Sequence, residues 1–167
     1  MNTFSPNAQN NFGFYFSTLA FLGILLLIFL HFGGYLRQNS SIESINGIQT
    51  LKLQASNGHH YRVKGGINGI TVNFLLDTGA TGIAVNEKIA DLAGLERGGY
   101  GTMQTANGSV EARVSRIARL EIGPILMKNV PVWIMPNMDD EVLLGMSVLR
   151  QLNWRQENGA LLIEIPQ

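Results

Sequence analysis

INGITVNFLLDTGATG, residues 67–82, is the stretch on which the fold turns. Ile70, Val72, Phe74 and Leu76 alternate with polar or outward positions, the period of a strand with one apolar face. Asn68-Gly69 ahead of it is a two-residue hairpin signal. The strand runs straight into Asp77-Thr78-Gly79. An apolar strand buries the approach to the carboxylate, Gly79 lets the chain turn sharply and brings backbone N–H groups close, and the Thr78 hydroxyl can bond neighbouring backbone and fix the loop. The plain alternative is an acid in a turn, where Asp and Gly are common.

Upstream, residues 49–55 alternate, Asn57-Gly58 is a turn signal, and His60 to Lys64 makes another strand. Downstream, Asn86 is placed to cap a short helix on which Ile89, Leu92 and Ala93 share a face, with Gly94 as its stop. Gly101 to Val114 reads as a hairpin turning at Asn107-Gly108. Ile117 to Ile122 and Val130 to Met135 are further strands, separated by Gly123-Pro124. Leu143-Leu144-Gly145 leads into a short helix with Val148, Leu149 and Leu152 inward, and Ala160 to Ile165 is a last strand. Many short strands, frequent turns and little helix predict an all-β barrel or sandwich.

The N-terminal part is different. Charged residues make up 14% of the 167 and hydrophobic ones 46%, and all 12 Lys+Arg and 12 Asp+Glu lie from Arg37 onward. Residues 14–32, FYFSTLAFLGILLLIFLHF, would span ~28 Å as a helix, close to a bilayer's hydrocarbon core. The run is apolar on every face, unlike a core helix, and lacks the basic start and small-residue cleavage site of a signal peptide. The expected organisation is an N-terminal tail (1–13), a single transmembrane anchor (14–32), a Gly/Ser/Asn-rich linker (33–48) and one folded domain (49–167). Zero net charge and no block of like charges argue against a nucleic-acid binder. The absence of Cys excludes a disulfide scaffold, a thiolate zinc site and a Cys nucleophile. His59 and His60 are adjacent on a strand and point to opposite faces, which makes them poor joint ligands; no metal is expected. Arg113, Arg116 and Arg119 fit a solvated face. Trp133 and Trp154 fit the core, with substrate contact by Trp133 as the alternative. Asn39-Ser40-Ser41 and Asn107-Gly108-Ser109 match a glycosylation acceptor, the second being more simply a turn.

FLLDTGATG resembles the aspartic protease signature in its retropepsin-like form, with Ala after the Gly. The likeness continues in order along the chain. Tyr100 to Val114 stands where that family has its flap, Val142-Leu143-Leu144-Gly145 is similar to its second signature, and the segment from Gly145 to Leu152 is similar to the helix that follows. INGITVNFLLDTGAT and ADLAGL (90–95) resemble bacterial members that join a transmembrane anchor to a single retropepsin-like domain. The resemblance covers roughly residues 50–165. It implies a closed β-barrel with a flap hairpin and one or two short helices.

It also implies an aspartic-type endopeptidase. Asp77 would be the catalytic carboxylate, with Thr78, Gly79 and Ala80 as its supports and the Thr hydroxyl locking two active-site loops together. Leu143, Leu144 and Gly145 would carry the Asp77 loop, and Thr105, Ala106, Asn107 and Gly108 the substrate-covering flap. Asp91, Asp139 and Asp140 are not followed by Thr/Ser-Gly. One active-site Asp per chain therefore implies a homodimer with an Asp77/Asp77 dyad and no cofactor. Two nearby carboxylates share one proton, one activating water and the other supporting the carbonyl oxygen. The substrate would be a protein or peptide in extended conformation. Arg37 beyond the anchor favours a cytoplasmic domain by the charge rule; the resemblance favours a single-pass cytoplasmic (inner) membrane protein with its domain outside that membrane, periplasmic or extracytoplasmic. The competing function is a non-catalytic, membrane-tethered β-barrel module that binds extended peptides.

Overall fold

The structure is a computed structural model that describes residues 12–33, 40–56, 60–105 and 108–166. It divides into two units, residues 1–37 and 38–167. The first unit contains one helix, α1 (Phe12–Gly33, 22 residues). The described side chains of α1 are Tyr15, Ser17 and residues 19–28, and all of them are exposed. Among the described residues no helix is long and apolar enough to cross a membrane, so the anchor stays an inference from the sequence.

The second unit is all-β with two short helices. Its chain order is β1 (Ser40–Ile45), β2 (Ile48–Gln54), β3 (Tyr61–Ile67), β4 (Ile70–Leu76), β5 (Ile83–Asn86), α2 (Glu87–Leu92), β6 (Tyr100–Thr105), β7 (Gly108–Ile122), β8 (Ile125–Met135), β9 (Val142–Leu144), α3 (Met146–Leu149), β10 (Trp154–Glu157) and β11 (Ala160–Glu164). One sheet has the order β1-β2-β11-β10, the other β3-β4-β9-β5-β8-β7-β6. In the larger sheet β3 also pairs with the second half of β7, from Gly65 opposite Ile122 to Ile67 opposite Leu120, so the order of strands returns on itself. That contact explains Gly65, whose Cβ would fall on the Glu121 carbonyl oxygen and 2.7 Å from the edge of the Phe74 ring. The Asn68-Gly69 turn has φ of 49° and 88° at its two residues, the left-handed pair that a tight right-twisted hairpin requires.

The main core lies on the inner faces of these strands. Phe74, Ile83, Val85, Ile117, Leu120, Ile122, Val142 and Leu144 are fully buried, joined by Leu53 and Ile163 from the smaller sheet. Val72, Phe74 and Leu76 turn inward as the alternation predicts, with Ile70 partly exposed at the strand start. Asn86 caps α2, its Oδ1 accepting from the Ile89 N–H at 2.8 Å, and Gly94 follows with φ 61°.

Several expectations change. Residues 40–45 are not linker: they form β1, which pairs with β2 from Ser40 opposite Leu53 to Ile45 opposite Ile48. β1 is an exposed polar edge strand, and its Ser and Glu residues carry no apolar signal. Residues 34–39 lie outside the described residues, as do Asn57, Gly58 and His59. Leu92 does not join the buried face of α2; it is 59% exposed, while Leu95 beyond the helix is 7% exposed. The Leu95 N–H donates to Ala90 O at 2.9 Å and draws that side chain inward instead. The flap's second strand and the strand at 117–122 are one 15-residue strand, β7.

The β1 pairing makes a prediction. A chain starting at Asn46 loses the whole strand, whereas one starting at Gln38 keeps it. With cross-strand pairs contributing about 0.2–1 kcal/mol each, the shorter chain should be less stable by about 1–2 kcal/mol. Thermal melts of the two truncations check this; equal melting temperatures would mean that β1 contributes nothing.

Candidate active site

Asp77 sits one residue beyond β4, where the ladder to β9 continues. β4 and β9 run parallel, with Leu75 opposite Leu143 and Leu76 opposite Leu144, and the Asp77 N–H donates to Leu144 O at 3.1 Å. The chain then turns tightly. Gly79 N–H donates to Asp77 Oδ1 at 2.8 Å, and Ala80 N–H to Asp77 O at 3.2 Å. The first bond holds the carboxylate in one orientation. Asp77 is half-buried, and Thr78 and Gly79 are exposed.

Residues 142–149 brace this loop. β9 lies between β4 and β5, parallel to the first and antiparallel to the second. Val142 and Leu144 are buried, and Leu143 is partly exposed on the opposite face. The Met146 and Ser147 N–H groups at the start of α3 donate to Ala80 O and Thr81 O, both at 2.8 Å. Gly145 is packed so closely that a Cβ there would lie 2.5 Å from both Ala80 O and Gly82 O. Leu143, Leu144, Gly145 and Ala80 thus meet around the Asp77 loop.

The hairpin of β6 and β7 pairs from Tyr100 opposite Arg113 to Thr105 opposite Gly108. Thr105 Oγ1 donates to Gly108 O at 2.8 Å, which closes the end of the ladder. Ala106 and Asn107, the expected flap tip, lie outside the described residues. At the hairpin's base the Arg113 guanidinium lies 4.1 Å from the Tyr100 ring centroid, and its Nη2 donates to the Tyr100 hydroxyl at 2.6 Å.

The Asp91 and Asp140 carboxylates are engaged elsewhere. Asp91 pairs with Arg97 at 2.6 Å. Asp140 accepts from Lys88 Nζ and Asn86 Nδ2, each at 2.8 Å. The Lys88 ammonium, then the Asn86 amide, hold the Asp140 carboxyl below its ordinary value, so it stays ionised and tied to α2. Asp139 offers its backbone carbonyl to Asn86 Nδ2 at 3.2 Å. His60 is exposed. Trp154 Nε1 donates to Leu149 O at 3.1 Å behind α3. Among the described residues no group of three or more His, Asp or Glu side chains is placed to hold a metal.

Sequence reasoning missed two supports. Arg62 of β3 forks onto Glu141, with Nε to Oε1 at 2.5 Å and Nη2 to Oε2 at 3.2 Å, which pins the residue before β9. Neither residue lies in a motif; only the fold joins positions 79 apart. The second is the packing of Trp133, read from sequence as core or substrate contact, against two glycines, Gly82 of the active-site loop and Gly101 of the flap hairpin.

The family described as "gag-polyprotein putative aspartyl protease" matches residues 63–151, just over half of the chain. This chain belongs to that family. The matched stretch runs from within β3 to the end of α3 and includes β4, β5, β9 and the flap hairpin. A retropepsin-like aspartic protease from Rickettsia conorii has the same fold, with a TM-score of 0.57 at 22% identity over 75% of this chain and 94% of that one. An uncharacterised protein from the cobV 5′ region of Sinorhizobium sp. is 31% identical over 119 residues, 69% of this chain. The chain spans about half the length of that relative, 51%. The fold is thus retropepsin-like, all-β with two sheets and few short helices, in a family of aspartyl proteases.

Proposed function

We propose that the protein is a membrane-anchored aspartic endopeptidase that works as a homodimer, with Asp77 from each chain forming the catalytic dyad. The observation that carries this reading is the Asp77 loop itself. It is a carboxylate at a strand end, oriented by the Gly79 N–H at 2.8 Å and braced by β9 and α3, in a chain of an aspartyl protease family. Two such carboxylates facing each other share one proton. The charged one takes a proton from water as it attacks the scissile carbonyl, and the protonated one supports the carbonyl oxygen. Exposed Thr78 is free to lock the two loops together across the dimer axis. Thr105 to Gly108 covers the substrate, and the return of the strand order from β7 to β3 supports a closed barrel behind the site. The engagement of Asp140 with Lys88 and Asn86 supports a second acid from a second chain.

The substrate is an extended protein segment, recognised by strand-like backbone pairing with alternate side chains in pockets. Incubating the full-length chain with an extended-peptide library, followed by mass spectrometry, tests the activity. Internal cleavage at defined positions is expected; an intact library would end the protease reading.

Residues 14–32 are the anchor in this reading. α1 has 22 residues, about 33 Å of helix, and its described side chains are exposed with no core of their own. We place the domain on the outer side of the cytoplasmic membrane, the arrangement of the anchored bacterial proteases it resembles, because a single Arg37 orients an anchor weakly. Protease added to intact spheroplasts that express the chain should digest residues 38–167. Digestion only after lysis would put the domain in the cytoplasm.

A further inference from the structure

The larger sheet has a second apolar face, separate from the main core. Ala84, Met103, Ala112 and Met135 are buried there, with Val110, Trp133, Met138 and Leu143 partly exposed above them. Alternation along the strands produces it: β5 sends Ile83 and Val85 into the core and Ala84 outward, and β9 does the same with Leu143. Leu143 stands opposite Leu75, two residues before Asp77, and Met103 and Val110 belong to the flap hairpin. This face therefore runs from the Asp77 loop to the underside of the flap.

Trp133 controls its depth. It stands directly opposite Ala84 on the β5–β8 ladder. A Cβ on Gly82, in the active-site loop, would lie 3.2 Å from its Cδ1, and one on Gly101, at the flap base, 2.9 Å from its Cη2 and Cζ3. The indole thus fills the space that side chains at 82 and 101 would otherwise take. Ala84 carries only a methyl on an outward face, yet it is 2% exposed, because Trp133 and Leu143 flank and close over it. Val110, Trp133, Met138 and Leu143 remain partly exposed on this face.

We infer that Trp133 limits the size of the substrate side chain held between the Asp77 loop and the flap, so that this position takes a small aliphatic residue. The inference rests on the endopeptidase reading. The indole takes volume that a larger substrate side chain would need, which favours an Ala- or Val-sized group over Leu or Phe, and one or two methylenes in an apolar pocket discriminate by about 10–200-fold.

The test is a cleavage profile of the full-length chain on extended peptides varied from Ala and Val to Leu and Phe at each position around the cleaved bond. The wild type should prefer the small residues at one position. Trp133→Ala should raise the kcat/KM ratio of Leu over Ala at that position about tenfold or more and leave the other positions unchanged. If Trp133→Ala does not fold, as judged by melting, Trp133→Leu should shift the same position in the same direction. A folded variant with an unchanged profile, or with an equal loss at all positions, would overturn the inference. If the wild type cleaves nothing, the protease reading fails and the pocket is read by binding. With Asp77→Asn and Trp154→Phe, Trp133 is the sole tryptophan of the two in the chain. Its emission should shift with Ala- or Val-containing peptides more than with their Phe counterparts; no shift with any peptide removes the pocket as well.

Discussion

On the proposed dimeric mechanism, Asp77→Asn should leave a folded protein whose peptidase activity is lower by roughly a thousand-fold or more, since the positioned acid and base that move protons in this chemistry contribute up to about 10⁴-fold. The substitution keeps the size of the side chain and its Oδ1, so the Gly79 N–H retains an acceptor at the place where it now finds one at 2.8 Å. What disappears is the group able to hold and release a proton. Activity on a cleaved library peptide, with a melting curve to show that the fold persists, checks this; near wild-type turnover would end the aspartic-protease reading. Mixing sharpens the test into one of assembly. If wild-type and Asp77→Asn chains exchange freely in equal amounts, about a quarter of the dimers keep both carboxylates, because an isologous interface draws its partners at random. Activity per wild-type chain should then fall to about half its unmixed value when dimers are saturated. An unchanged value after full exchange would mean that each chain works alone. The second acid would then come from the same chain, and with Asp140 committed to Lys88 and Asn86, Asp139 would be the first to substitute.

What was legible in the sequence was whatever is written locally. The alternation from Ile70 to Leu76, the Asn68-Gly69 turn and the Asn86 cap depend on residues within a few positions of one another, and all three are found as read. The two edge strands of the smaller sheet were not legible. β1 and β10 carry SSIESI and WRQE, sequences with a solvent-facing composition that only a neighbouring strand turns into sheet. β5 failed for the opposite reason: all four of its residues are buried, so it has no alternation to detect. For the candidate site, Asp77-Thr78-Gly79 and Leu143-Leu144-Gly145 are short strings whose meeting is a matter of topology, a parallel β4–β9 pair that sets Leu76 opposite Leu144, far along the chain. Resemblance joined them where periodicity could not. Trp133 carried no such signal. Its role depends on two glycines, 82 and 101, far from it in the chain and close in the fold.

Gly145→Ala should be the most damaging small change near the site. The backbone at Gly145 has φ −94° and ψ −171°, a conformation open to any residue, so the position is not reserved by torsion. It is reserved by space. The new Cβ would lie 2.5 Å from Ala80 O and Gly82 O and 2.8 Å from Ala80 C, all backbone atoms of the loop that follows Asp77. No side chain can rotate away. Either β9 or the 80–82 loop has to move, and both are held. The Met146 N–H donates to Ala80 O and the Ser147 N–H to Thr81 O, each at 2.8 Å, while Leu144 is fully buried in the core. Overpacking against fixed surroundings costs about 1–3 kcal/mol, occasionally more, and the upper end applies when backbone is on both sides. A loss of about 3 kcal/mol is a large share of the roughly 5–15 kcal/mol that holds a domain together, and a drop in melting temperature of roughly 10 °C should follow. Activity should fall further than stability alone explains, because the displaced loop carries the Asp77 carboxylate. Gly99→Ala provides the comparison. It also adds one methyl near the flap hairpin, but nothing stands within 4 Å of the new atom, and it should melt and cleave as the wild type does. If Gly145→Ala melted with Gly99→Ala, the close packing of β9 against the Asp77 loop would not be what holds that loop in place.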